Sequence, residues 1–298
     1  PDAKATLSVH FDAVLAHLLA GLGDRAWRAR EASALALAEL VPQCDAGNFT
    51  AQAAVLFRAI LRALDDIKES VRNASQGAWR ALCSATNRLS DGGTSSPADA
   101  RAVLDAILPI LLDKGLTHPE AEVRALCGKQ ILKMTATAGA NLAPHTPLLV
   151  PFLLEALSSL EDPRLAYTQQ HASSILGDKG DAAFESARVA ATRASDAATA
   201  LERCVPLMGD MHVLEALPAL ENLLVRGVGL PTRTGTARFV MRLAHERGDV
   251  LKPRAHRILD SVVGGILSDT SFIVQRAYAS AAAQLAKHVG PDKLGDLV

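Results

Sequence analysis

One phrase recurs along this chain at a spacing that leaves few folds open. Asp24 stands five residues before Ala29-Arg30, with Ala32 following; Asp66 stands five before Val71-Arg72, with Ala74 following; Asp269 stands five before Val274-Gln275, with Ala277 following. A further copy runs from His118 to Val123-Arg124; it keeps the spacing, lacks the acid and has Leu126 in place of the alanine. Arg30 and Arg72 are 42 residues apart, Arg72 and Arg124 are 52, and Arg124 and Gln275 are 151. In the copy at 66–82, Ile67, Val71, Ala74, Ala78 and Leu82 share one stripe at helical spacing, with Lys68, Glu69, Arg72, Asn73 and Gln76 off it. Asp65-Asp66 supplies a side-chain acceptor and negative charge where the first N–H groups of such a helix lack partners.

A helical phrase repeating at this period predicts stacked helix pairs, because each pair leaves an apolar face that only its neighbours bury. The expected fold is all-α, an α–α superhelix of the HEAT/armadillo kind with about six helix pairs, forming one solenoid over residues 1–298. The pairs are placed at 6–21 with 25–41, 50–64 with 66–89, 97–115 with 119–138, 210–226 with 231–247, and 253–268 with 270–289. A fourth pair opens at 144–160 and then loses the pattern, with Tyr167, Gln169, Gln170 and His171 where Val, Arg and Ala belong. Residues 171–208 read as a degenerate repeat or insertion in which Ser195-Asp196 caps a helix, and 90–97, SDGGTSSP, as a flexible loop. In the first pair Val14, Leu15, Leu18, Leu19 and Leu22 are expected to face Trp27, Ala32, Leu35 and Ala36. In the last pair Ile258, Val262, Ile266 and Leu267 face Val274, Ala277, Tyr278, Ala281 and Leu285. Pro119 is expected at a first helical position. The chain starts at Pro1 rather than Met, which predicts a piece of something longer.

Composition narrows the function. Hydrophobic residues make up 49% and aromatics 4%, so the core must be built from Ala, Leu, Val and Ile. Thirty-one basic residues against 32 acidic ones lack the excess of a nucleic-acid groove, and no run is long and apolar enough to insert in a membrane. Cys44, Cys83, Cys127 and Cys204 are widely spaced without a CxxC pair, so reduced, structural thiols are expected. His245-Glu246 has no second His four residues on. The segment GLPTRTG at 229–235 has the wrong spacing for a phosphate loop and lacks its lysine, so its glycines are read as permitting a tight turn and close helix contact. No catalytic, cofactor-binding or metal-binding residue is identified. Asp24, Arg30, Asp66, Arg72 and Arg124 form the candidate structural ladder, since an Asp-to-Arg offset of six recurs in the first two copies. Gly227, Gly229, Pro231 and Arg233 form the candidate partner-contact loop.

The wording of the repeats carries more than their period. DRAWRAREASALALAEL (24–40), LDDIKESVRNAS (64–75), LLDKGLTHPEAEVRAL (111–126), ESARVAATRAS (185–195) and RGVGLPTRTGTA (226–237) resemble, in the same order, the C-terminal part of the proteasome adaptor and scaffold family of large HEAT-repeat proteins. The chain departs from that family's pattern at Pro231 and Thr234, where glycines belong, and within 166–182. The resemblance implies a scaffold without catalysis that binds the 26S proteasome, bridging core and regulatory particles and restraining faulty assemblies. It also implies a place in cytoplasm and nucleus, a link to endomembranes through partners, and contact with the rest of a longer chain. The periodicity alone fits two alternatives: a HEAT scaffold of another kind, such as a nuclear-transport receptor or phosphatase subunit, and a DNA glycosylase built on helical repeats. The balanced charge argues against the glycosylase.

Overall fold

The computed structural model describes residues 3–159 and 184–290. Among them the chain is helix and turn with no strand, and it divides into two compact units, Pro1–Leu142 and Ala143–Val298.

The first unit pairs α1 (Ala3–Leu22) with α2 (Trp27–Leu40), α3 (Ala46–Ala63) with α4 (Glu69–Ser90), and α5 (Pro97–Ile110) with α6 (Ala121–Thr137). Successive first helices touch one another, α1 to α3 to α5, as do successive second helices, α2 to α4 to α6, which gives two layers. α3 shows how sequence sets an element. Asp45 caps it by accepting the Asn48 N–H at 2.7 Å, and Phe49, Ala53, Leu56, Phe57 and Ile60 return to one buried face every three or four residues. That face meets α4, where Phe57 and Trp79 pack edge to face with centroids 5.6 Å apart. Such a pair adds about 0.5–1.5 kcal/mol beyond the area it buries. Val103, Ile107, Leu108 and Leu111 of the third pair are fully buried, as are Val123, Cys127, Ile131 and Met134 opposite. After Ile110 the helix widens into a π-helical turn, Leu111–Gly115. The loop at 91–96 is tied down at Gly92, whose N–H donates to the Thr137 carbonyl at 3.2 Å.

The second unit holds α7 (Thr146–Ser159), α8 (described over 184–193), α9 (Asp196–Leu207), α10 (Asp210–Arg226), α11 (Leu230–Glu246), the short α12 (Gly248–Leu251), α13 (Ala255–Ser268) and α14 (Phe272–Leu285). α10 packs on α7 and α13, and α11 on α7 and α14, which repeats the two-layer arrangement. Ser195 caps α9, accepting the Ala198 N–H. Tyr278 is buried, and its hydroxyl donates to the Leu224 carbonyl at 2.7 Å. Burial pushes that phenol up to about 12.

Several sequence expectations change here. Ile67 is not on the buried stripe; it is 93% exposed, because α4 starts only at Glu69 and the residues before it form a turn. Asp65-Asp66 therefore does not cap the helix. Lys68 is its N-cap residue, and no side chain caps it. In the first pair the inward residues are Phe11 and Leu15 against Ala34, Leu37 and Leu40, while Val14, Ala32 and Leu35 are exposed. The Ala/Leu alternation of α2 puts apolar residues on every face, so its pattern does not single out one. Leu267 is 81% exposed at the end of α13, whereas Val274, Ala277, Tyr278, Ala281 and Leu285 are all buried as expected. Pro119 lies in the turn, with Glu120 as N-cap and α6 beginning at Ala121. The degenerate stretch at Tyr167, Gln169, Gln170 and His171 and the departures at 166–182 lie outside the described residues.

Candidate functional site

The recurring phrase folds into one kind of turn, and its side chains have defined tasks. In the turn before α2, Asp24 accepts the Ala26 N–H at 2.7 Å, and Arg30 donates back to the Asp24 and Arg25 carbonyls at 2.9 and 3.1 Å. Before α4, Asp66 accepts the Lys68 N–H at 2.9 Å, and Arg72 donates to the Asp66 and Ile67 carbonyls at 2.7 and 3.2 Å. Before α6, His118 Nδ1 accepts the Glu120 N–H at 3.2 Å, and Arg124 donates to the His118 and Pro119 carbonyls, both at 2.6 Å. Before α14, Asp269 accepts the Ser271 N–H, and Gln275 donates to the Asp269 carbonyl at 2.7 Å. The first residue thus folds the turn through its side chain, and the sixth after it closes the turn on the freed carbonyls.

In two places the arginine also reaches the following turn. Arg30 grips Asp66 with both prongs of its guanidinium, Nε to Oδ2 at 2.6 Å and Nη2 to Oδ1 at 2.9 Å. Thirty-six residues separate them. Arg233 reaches Asp269 over the same separation, and Asp269 is only 5% exposed. The hydrogen bond from Arg30 is the first cause holding the Asp66 carboxyl below its ordinary value, against the opposing effect of burial. The five ladder residues therefore come together only in part. Arg30 and Asp66 form a rung, the Asp24 carboxylate stays with its own turn, and Arg72 and Arg124 bond to backbone carbonyls rather than to acids.

The segment 227–235 is built for packing. Gly229 has φ +87°, a conformation side chains rarely adopt, and a Cβ there would run into Ser158. Pro231 and Thr234 are buried; α11 begins at Leu230, so Pro231 sits in its first turn. The buried Thr232 hydroxyl donates to the Leu154 carbonyl at 2.9 Å, and the Thr232 N–H donates to Ser158 Oγ at 3.0 Å. Gly235 lets α11 close on Leu157. Of the four loop candidates, Pro231 is thus withdrawn into the core and Arg233 is committed to Asp269. The exposed tip is Val228, between Gly227 and Gly229 and 85% exposed. Arg233 does not read as a rung in the sequence because its own turn opens with Gly227, not an acid. Its offset of six from Gly227 is the one signal that marks it.

The four cysteines are free thiols. Burial pushes Cys44 up to about 11 and Cys83, Cys127 and Cys204 up to about 12. Among the described residues no group of three or more His, Cys, Asp or Glu is placed to hold a metal ion, and no helix is long and apolar enough to cross a membrane.

Paired helices stacked in two layers, with turns closed by an arginine or a glutamine, define a helical-repeat protein. The family described as proteasome adapter and scaffold protein ECM29, HEAT-repeat domain, matches residues 142–298, and the chain belongs to it. The human proteasome adapter and scaffold protein ECM29 is 32% identical over 95% of this chain, and proteasome component ECM29 of Saccharomyces cerevisiae is 25% identical over 98%. The chain spans 15% and 16% of the length of these two relatives. Among solved structures, the archaeal HEAT-like repeats protein from Thermococcus onnurineus NA1 overlaps it distantly, at a TM-score of 0.34 and 13% identity, over 97% of this chain and 99% of that one.

Proposed function

We propose that this chain is a segment of a non-catalytic scaffold that binds the 26S proteasome, bridging its core and regulatory particles and restraining faulty assemblies. The observation that carries the reading is family membership, supported by the likeness to a human proteasome adapter and scaffold protein along 95% of the chain. The ladder residues also favour it: their charges are consumed by turns and rungs, leaving binding to surface. That surface includes two large apolar side chains at turn tips, Ile67 and Val228, each one residue after the first position of its turn and 93% and 85% exposed. Loops vary more freely than packed helices, so 91–96 and 227–229 are the expected partner contacts. The protein works in cytoplasm and nucleus and reaches endomembranes only through partners.

The test immobilises the full-length protein, and separately a version lacking this segment, and measures 26S proteasomes retained from a cell extract at near-physiological salt. Retention by the full-length protein and its clear loss without the segment is the expected result. Equal retention would assign the contact to other parts of the chain, and no retention by either would remove the proteasome reading.

A further inference from the structure

The arginines of α11 are not all spent alike. Arg233 pairs with Asp269, and Arg242 pairs with Glu246 at 2.8 Å, but Arg238 between them pairs with no acid among the described residues. Arg238 lies in a groove floored by α11 and flanked by α8 and α14, where Arg193 and Arg276 join it. None of these three guanidinium groups has an ion-pair or hydrogen-bond partner among the described residues. Two cavities of about 230 and about 570 Å³ share Val189, Arg193 and Arg238 in their walls, so they are two ends of one groove. Apolar side chains line it between the charges: Phe239 at one end, and Met241 with the 70% exposed Phe272 at the other. Burial and the neighbouring Arg193 charge lower Arg238 to about 10, so it stays charged at neutral pH at some electrostatic cost.

Like charges held together without counter-ions among the described residues, with Arg238 half-buried between the exposed Arg193 and Arg276, favour whatever brings the counter-ions. The geometry points to this groove as the docking site for an extended acidic peptide segment, its carboxylates taken by Arg193, Arg238 and Arg276 and its apolar side chains by the wall between them. Guanidinium forks suit carboxylates because both are planar and can form two parallel hydrogen bonds. Charge complementarity with an apolar wall favours a peptide over nucleic acid. A phosphate backbone calls for a longer basic track than three arginines, and Glu202, which lines the smaller cavity and not the larger, disfavours any anion at that end, so the peptide's carboxylates lie toward the larger one. The inference does not rest on the proteasome reading; it requires only the described groove.

The test uses a fluorescein-labelled twelve-residue peptide in which glutamates alternate with leucine and serine, a glutamine version of it, and an oligo-dT probe of similar length. Fluorescence anisotropy on the full chain should show the glutamate peptide bound and the glutamine peptide at least roughly tenfold weaker. Arg276→Glu, an exposed position, should weaken the glutamate peptide by roughly tenfold while leaving the circular-dichroism melt unchanged. Arg238→Gln should do the same, and Arg226→Glu, away from the groove, should not. Equal binding of the two peptides, no binding of the acidic one, or indifference to Arg276→Glu overturns the proposal. Tighter binding of the oligo-dT would assign the groove to nucleic acid and overturn it as well.

Discussion

The turns before α2 and before α11 perform the same task by different means. Each sends an arginine 36 residues forward to an aspartate, Arg30 to Asp66 and Arg233 to Asp269. In the first turn an acid, Asp24, organises the backbone, and Arg30 also closes on its carbonyls. In the second the acid is replaced by glycine, and the order comes from outside the turn, through Thr232 bonding into α7 and Gly229 lying against Ser158. Where Thr232 stands in the second unit, Ala29 stands in the first. The rung is thus separable from the turn that carries it: a turn can be fixed by its own carboxylate or by a neighbouring helix, and the arginine reaches forward either way.

The comparison can be broken most forcefully in the core beneath it. Val71 and Val274 hold the same position of the phrase and are fully buried. Val71→Asp and Val274→Asp should each cost more than about 3 kcal/mol, from lost burial and a carboxylate placed in an apolar seam. Circular dichroism should show a large loss of helix for either, and an unchanged melt would place that valine outside the core. Asp269→Asn comes next. It leaves Arg233 without its anion, and because Asp269 is almost wholly buried the loss should be about 1.5–3 kcal/mol by urea titration. A midpoint that does not move would show that the rung sets no register there. Thr232→Ala should cost about 1–2 kcal/mol, since the hydroxyl bonded to Leu154 disappears from a buried site.

The smallest expected effect is the acid limb of the first rung. The Asp66 carboxyl is held down in the folded chain, so the unfolded chain binds the proton more readily. Its contribution is fully present above the ordinary aspartate value of about 3.9 and disappears as the pH falls through the lower folded value. A stability profile from pH 6 to pH 2 should lose part of its slope below about pH 4 in Asp66→Asn. An identical slope in parent and variant would show that Asp66 gains nothing from Arg30.

Which features were legible from sequence follows from where the information lay. Helix pairs and their order could be read because Phe49, Leu56 and Ile60, or Val274, Tyr278 and Leu285, return to one face with polar residues between them. The facing of α2 could not, because alanine and leucine surround it and only its neighbours decide which side is buried. Ile67 shows that an apolar residue in phase with a helix is indistinguishable, in sequence, from one stranded in the turn before it. The arginine offset was visible, but its partner was not. Backbone carbonyls leave no trace in a sequence, so it does not show that Arg72 and Arg124 close their own turns. The groove at Arg238 depends on three helices brought together and had no signal along the chain.

The burial of the thiols carries a consequence for chemistry rather than stability. With its thiol pushed up to about 12, a cysteine such as Cys127 or Cys204 stays protonated at neutral pH. The thiolate is the species that attacks peroxides and alkylating agents, so packing that excludes water also withholds the nucleophile. Thiol-directed oxidants that modify low-pKa cysteines should therefore react slowly with Cys127 and Cys204 in the folded chain. The folded core thus shields its thiols, and unfolding would be the event that makes them reactive.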